Sequence, residues 1–178
     1  DDASTLAWIG DLLEHNLGRF EAPLLARLIV GWQGKNIEAV RRLNDLYLAS
    51  REAAELRAET LQMGYSLVRL LREFGDFPAD TLSTLDAMGD VGFPTAWSAA
   101  AAVWEIPAEE ALTAYLWAWA ENQAMAALKA VPLGQSAGQR ILLALGARVP
   151  RNAQRAPTRQ AAVNAGVEID GGTAKTLH

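Results

Sequence analysis

The stretch KAVPLGQSAGQR, Lys129–Arg140, interrupts an otherwise helical chain. Before it, 14 of the 35 residues from 96 to 130 are alanine. Pro132 lacks an amide hydrogen and ends one helix, and Gly134 turns the chain. A second helix is expected over Gln135–Ala147, where Ala137 and Gly138 are small enough to let a neighbouring helix lie close. The stretch therefore reads as the bend of a helical hairpin. A phosphate-binding loop is excluded: Gln139 stands where the lysine belongs, and no strand precedes. A bend does not need Lys129, Gln135, Gln139 and Arg140. These polar groups, with Pro132 and Gly134, are the candidate partner-binding surface.

Working outward, helical spacing recurs almost everywhere. Leu6, Ile9, Leu13 and Leu17 mark a helix over Thr5–Leu17, with Ser4 as N-cap and Gly18 as its stop. A second helix covers Phe20–Gln33, and Asn36 caps a third that turns Ile37, Val40, Leu43, Leu46 and Tyr47 inward. A long helix from Arg51 to Phe74 shows an apolar face of Leu56, Met63, Leu67, Leu70 and Leu71. Asp80–Met88 and Thr95–Trp104 follow. Pro107, Glu109 and Glu110 suit the first turn of a helix running to about Ala130. Trp117 and Trp119 point to opposite sides of it, which suggests a helix buried on several sides, with partners for Glu121, Asn122 and Gln123. No good strand pattern appears. The expected fold is all-α, a single-domain bundle of about 7–9 helices around an alanine-rich central pair. Residues 1–150 form the body and 151–178 a loosely structured tail.

Composition narrows the chemistry. The chain has 178 residues, no cysteine and only two histidines, His15 and His178. Disulfides, thiolate sites, histidine clusters and cysteine nucleophiles are therefore excluded. Neither a metal nor a cofactor site is expected. No apolar run reaches the length of a membrane span, and Asp1 and Asp2 do not begin a secretory leader, so a cytoplasmic location is expected. The absence of an initiator Met fits a fragment. Residues 1–139 carry 10 basic and 19 acidic groups, net −9; residues 140–178 carry 6 and 2, net +4; together these give −5. Arg140, Arg148, Arg151, Arg155 and Arg159 read as a solvated face, or as a strip for an acidic partner. No aromatic residues alternate with them, so nucleic acid is not expected. Glu52, Glu55 and Glu59 are the one candidate catalytic cluster, with a solvated helix face as the plainer reading. His15 reads as a surface group and Ser98 as a packing residue.

Two blocks carry a family resemblance. Ser50–Arg57, SREAAELR, followed by Gln62-Met63-Gly64, is similar to an R-E-x-x-E-L-R helix. Lys129–Gln135 with Gly138-Gln139 resembles K-x-V-P-L-G-Q-x-x-G-Q. Both belong to the UreF family of urease accessory proteins, which the chain resembles from about Leu6 to Ala147. The ends depart from the family pattern: neither an L-P-V-G-x-[FY]-S opening nor an H-E-x-x-Y-S-R-L-F-R-S-like tail is present. The resemblance implies an all-helical, non-enzymatic scaffold in the cytoplasm that tends to dimerise. It implies binding to UreD (also called UreH) and recruitment of the GTPase UreG, so that nickel enters the urease apoprotein. Nickel would be carried mainly by the partners, and Glu55 would join the partner-binding set. The alternatives are a generic helical dimerisation module and a small enzyme built on the glutamate cluster.

Overall fold

Position 64 shows how tightly the helices pack. A Cβ built on Gly64 would lie 2.1 Å from the Val91 carbonyl oxygen, so only glycine allows this helix to pass so near the turn. The computed structural model describes the backbone of residues 1–130, 134–164, 167–170 and 173–176, and the side chains up to 156 except Gln135. Its body is all-α. The helices are α1 (Asp2–Asp11), α2 (Ala22–Gln33), α3 (Ile37–Ala49), α4 (Ala54–Glu73), α5 (Ala79–Asp86), α6 (Phe93–Val103), α7 (Ala108–Ala130), α8 (Gln135–Gly146) and α9 (Val149–Asn164). A π-helical segment, Leu12–Glu21, joins α1 to α2. The chain divides into two compact units, Leu24–Ala111 and Asp1–Pro23 with Leu112–His178.

In the unit Leu24–Ala111, α4 packs on α6 and α5, and α3 on α6. Asn36 caps α3 as the sequence suggests, its side chain accepting from the Ala39 amide. The buried side of α4 is Thr60, Gly64, Val68 and Leu71. This corrects the apolar face expected from sequence: Leu56, Met63 and Leu70 are 51, 37 and 47% exposed. Leu46 is exposed too, while Asn44 takes a buried place. The Asn44 amide donates to the Asp90 carbonyl, and its oxygen accepts from the Gly92 amide and the Thr95 hydroxyl. Thr60 accepts from the Phe93 amide and donates to the Tyr47 hydroxyl. Arg57 donates to the Leu48 carbonyl and to the Asp90 carboxylate. These bonds fix the Asp90–Phe93 turn against α3 and α4. Ser50 closes α3, and α4 starts at Ala54 rather than at Arg51.

In the unit Asp1–Pro23 with Leu112–His178, α1 packs on α8, and α9 on the π-helical segment and α8. Asp1 and Ser4 form a capping box at the start of α1. Gly18 does not stop the helix. Ile9, Leu13, Leu17 and Glu21 are all buried at every fourth position. In an α-helix each step of four drifts by about 40°, and a wider π-turn drifts the other way. Mixing the two keeps these residues on one face; the Ala22 amide bonds back to the Leu17 carbonyl, five residues earlier. Buried Glu21 accepts a hydrogen bond from the Tyr115 hydroxyl, which supplies the partner a buried carboxylate needs.

Alanines do fill buried positions: Ala96, Ala99, Ala100 and Ala101 on α6, and Ala120 and Ala124 on α7. Trp117 and Trp119, however, are each half-buried, and Glu121 and Asn122 are exposed. The buried stripe of α7 runs through Leu112, Tyr115, Leu116, Ala120 and Ala124, and the tryptophans sit on its two shoulders. Beyond Ala147 the structure adds α9 and a short antiparallel hairpin, β1 (Val167–Asp170) with β2 (Thr173–Thr176), in the register Val167↔Thr176 and Asp170↔Thr173. The strands depart from the strand-free expectation. Their signal is a Gly-Gly pair that follows the alternating Val167-Glu168-Ile169-Asp170.

Gly64→Ala should lower stability by about 2 kcal/mol or more, because backbone, not a movable side-chain tip, meets the new methyl. Asn44→Ala should cost about 2–3 kcal/mol by leaving the Gly92 amide and the Thr95 hydroxyl without their acceptor. Urea titrations of both variants check these values.

Candidate partner-binding site

The hairpin expected at Lys129–Arg140 is built from the end of α7 and the start of α8. A Cβ on Gly138 would lie 2.6 Å from Leu128 Cδ1, so the two helices pack closely at this position. Gly134 is the N-cap of α8, with φ −68° and ψ 158°, and its carbonyl accepts from the Ala137 and Gly138 amides. That backbone is open to any residue, and nothing lies within 4 Å of a Cβ there.

The predicted residues fall as follows. Lys129, Gly134, Gln139 and Arg140 all belong to one compact unit and are exposed. Gln135 opens α8, but its side chain lies outside the described residues, as does Pro132 altogether. Glu55 is exposed in the first turn of α4 and belongs to the other unit.

Sequence reasoning missed two residues on the same helices. α8 buries Ala137, Ile141 and Leu145, so Ser136, Gln139, Arg140 and Leu143 face outward; Leu143 is 76% exposed. On α7, Met125 is exposed one turn before Lys129. The run Ile141-Leu142-Leu143 held the signal, since three consecutive apolar residues on a helix cannot all face one core. The outer faces thus combine apolar side chains with amide and cationic ones, a mixture suited to protein contact.

The other candidates are placed as follows. Glu52, Glu55 and Glu59 are all exposed. His15 lies in a shallow groove of about 450 Å³ with Trp8, Asp11 and Phe20. Ser98 is buried and donates to the Thr95 carbonyl. Among the described residues, no group of three or more metal-ligating side chains occurs, and no helix is long and apolar enough to cross a membrane.

The arginine-rich end is partly matched within its own unit. Arg140 forms a charge-assisted pair with Asp2, at 2.7 and 3.3 Å, and Arg155 approaches Glu14 at 3.8 Å. The hydrogen bond from Arg140 holds the Asp2 carboxyl below its ordinary value. With the folded value below the unfolded one, the contact contributes above the ordinary carboxylate range and fades as pH falls through the folded value. Carboxyl NMR titration should place Asp2 below other exposed aspartates, and Arg140→Ala should return it to their range.

Comparison with known proteins completes this picture. The UreF family model matches residues 1–146. A urease accessory protein UreF from Azoarcus sp. (strain BH72) is 60% identical over 151 residues, 84% of this chain and 64% of the relative. A second, from Dechloromonas aromatica (strain RCB), is 53% identical over 159 residues, 89% of this chain and 70% of the relative. A bifunctional urease accessory protein UreEF from Bordetella bronchiseptica is 45% identical over 150 residues, 84% of this chain and 35% of the relative. The chain therefore spans a little under two thirds of the Azoarcus protein. With the family match running through α8 of an all-α body, the chain belongs to the UreF family of urease accessory proteins.

Proposed function

We propose that this chain acts in urease maturation as a non-catalytic scaffold in the cytoplasm. It binds UreD (UreH), recruits or regulates the GTPase UreG, and so helps nickel enter the urease apoprotein. The family match over residues 1–146 carries this reading. The fusion named bifunctional urease accessory protein UreEF supports it, because there a UreF-like region shares one chain with a second accessory part.

The work is geometric. A scaffold raises the effective concentration of one partner beside another and needs contact faces rather than reacting groups. The α7–α8 hairpin offers such a face. Met125 and Leu143 are apolar anchors, and Lys129, Ser136 and Gln139 are polar contacts. Pro132, Gly134 and Gln135 complete the motif, and Arg140, held by Asp2, fixes the start of α8 against α1. Glu55 supplies a contact from the other unit. Self-association into a homodimer is part of the same reading.

Size-exclusion chromatography of the purified chain with UreD and UreG tests it. Co-elution with at least one is expected, and elution apart from both refutes the reading. Leu143→Arg should weaken the complex by about tenfold or more, since burying an arginine in place of an apolar anchor loses over 1 kcal/mol, while an exposed site leaves the melting temperature unchanged.

A further inference from the structure

Of the apolar face read from the sequence of α4, the fold buries only Leu71 fully and Leu67 in part, and leaves the rest outside. Leu56, Met63 and Leu70 recur every seventh residue and stay exposed; half-buried Leu67 lies between the last two, exposed Phe74 follows four residues after Leu70, and only the place between Leu56 and Met63 is turned inward, as buried Thr60. This is the spacing of a coiled-coil seam. Between Met63, Leu67, Leu70 and Phe93 runs an open groove of about 330 Å³. At its far end Phe74 and Phe77 pack edge-on against the exposed Trp104 at 6.0 Å.

We propose that this seam is a docking site for an amphipathic helix of another protein, one whose apolar stripe is flanked by lysine or arginine. The charge beside the seam selects that partner. Glu59 lies three residues after Leu56 and four before Met63, with Glu55 one turn earlier, and both are exposed. Ser66 and Glu73 continue the same row at seven-residue steps, and Arg69 neutralises Glu73 at 3.2 Å. The negative charge is therefore concentrated at the N-terminal half of α4, where the incoming cations belong. The net −9 over residues 1–139 adds a long-range attraction of the same sign. A second copy of this chain fits less well. Laid parallel, Glu59 would stand opposite Gly64 of the copy, which lies against the Val91 carbonyl; laid antiparallel, the row Glu59, Ser66 and Glu73 would face itself, and no cation would meet Glu59. The seam lies outside the α7–α8 hairpin and shares only Glu55 with the partner set proposed above, so the proposal adds a second surface to the maturation reading.

The test uses the full chain and two synthetic three-heptad peptides with leucine at the seam positions. One carries lysine at the flanking positions, the other glutamate. By fluorescence anisotropy at low ionic strength, the lysine peptide should bind at least about tenfold more tightly, and added salt should narrow the gap. Leu70→Glu should weaken binding about tenfold or more, with an unchanged circular-dichroism melt. The double variant Glu55→Lys, Glu59→Lys should invert the preference between peptides. Equal binding of the two peptides overturns the proposal, as does indifference to Leu70→Glu. So does a dimer of the chain, seen by sedimentation, that Leu70→Glu disperses. Co-elution with UreD or UreG that survives Leu70→Glu leaves the scaffold reading intact whatever the peptides do.

Discussion

The contact between Gly64 and the Val91 carbonyl governs the unit Leu24–Ala111. A side chain at position 64 would lift α4 from the Asp90–Phe93 turn. Without one, helix and turn meet backbone to backbone, and the surrounding polar groups can reach each other. Asn44 closes three hydrogen bonds, Thr60 two, and Arg57 two, all onto this turn or the residues that hold it. Each is a group that would be costly to bury alone, so the close crossing and the polar network stabilise each other. The same crossing rotates α4 so that its most apolar row faces out.

The two blocks that carry the family resemblance acquire different physical meanings in this setting. In SREAAELR, Arg57 clamps the end of α3 to the turn, and Arg51 lies over the Tyr47 ring at 4.3 Å. Those arginines hold the fold, while Glu55 projects to solvent. In KAVPLGQSAGQR, Gly138 sets the spacing of α7 and α8, and Lys129 and Gln139 project outward. Each block thus pairs a packing residue with exposed groups available to another molecule. That division is what a protein working through contact faces requires.

The site was legible in the sequence to an uneven degree. The hairpin, its close approach at Gly138 and the exposure of Lys129 and Gln139 all follow from proline, glycine and charge. Arg140 did not read as an intramolecular partner, because Asp2 is 138 residues away along the chain. Leu143 and Met125 escaped notice because apolar residues are assumed inward until the opposing helix is known. The tail reads as loosely structured because it has few large apolar residues, yet α9 and a two-stranded hairpin lie within it.

The sequence by itself determined that this chain is helical, where α7 ends and α8 begins, that Asn36 caps α3, and which family it belongs to. Those properties rest on local chemistry: backbone donors, side-chain size, and the period of apolar residues. Only the tertiary structure decided which side of α4 is core, that Gly18 lies inside a continuous π-helical segment, and that Trp117 and Trp119 ride the shoulders of α7. These depend on what each helix meets across space. Periodicity says that a helix has an apolar face; only the shape of its neighbours decides whether that face is the one they cover.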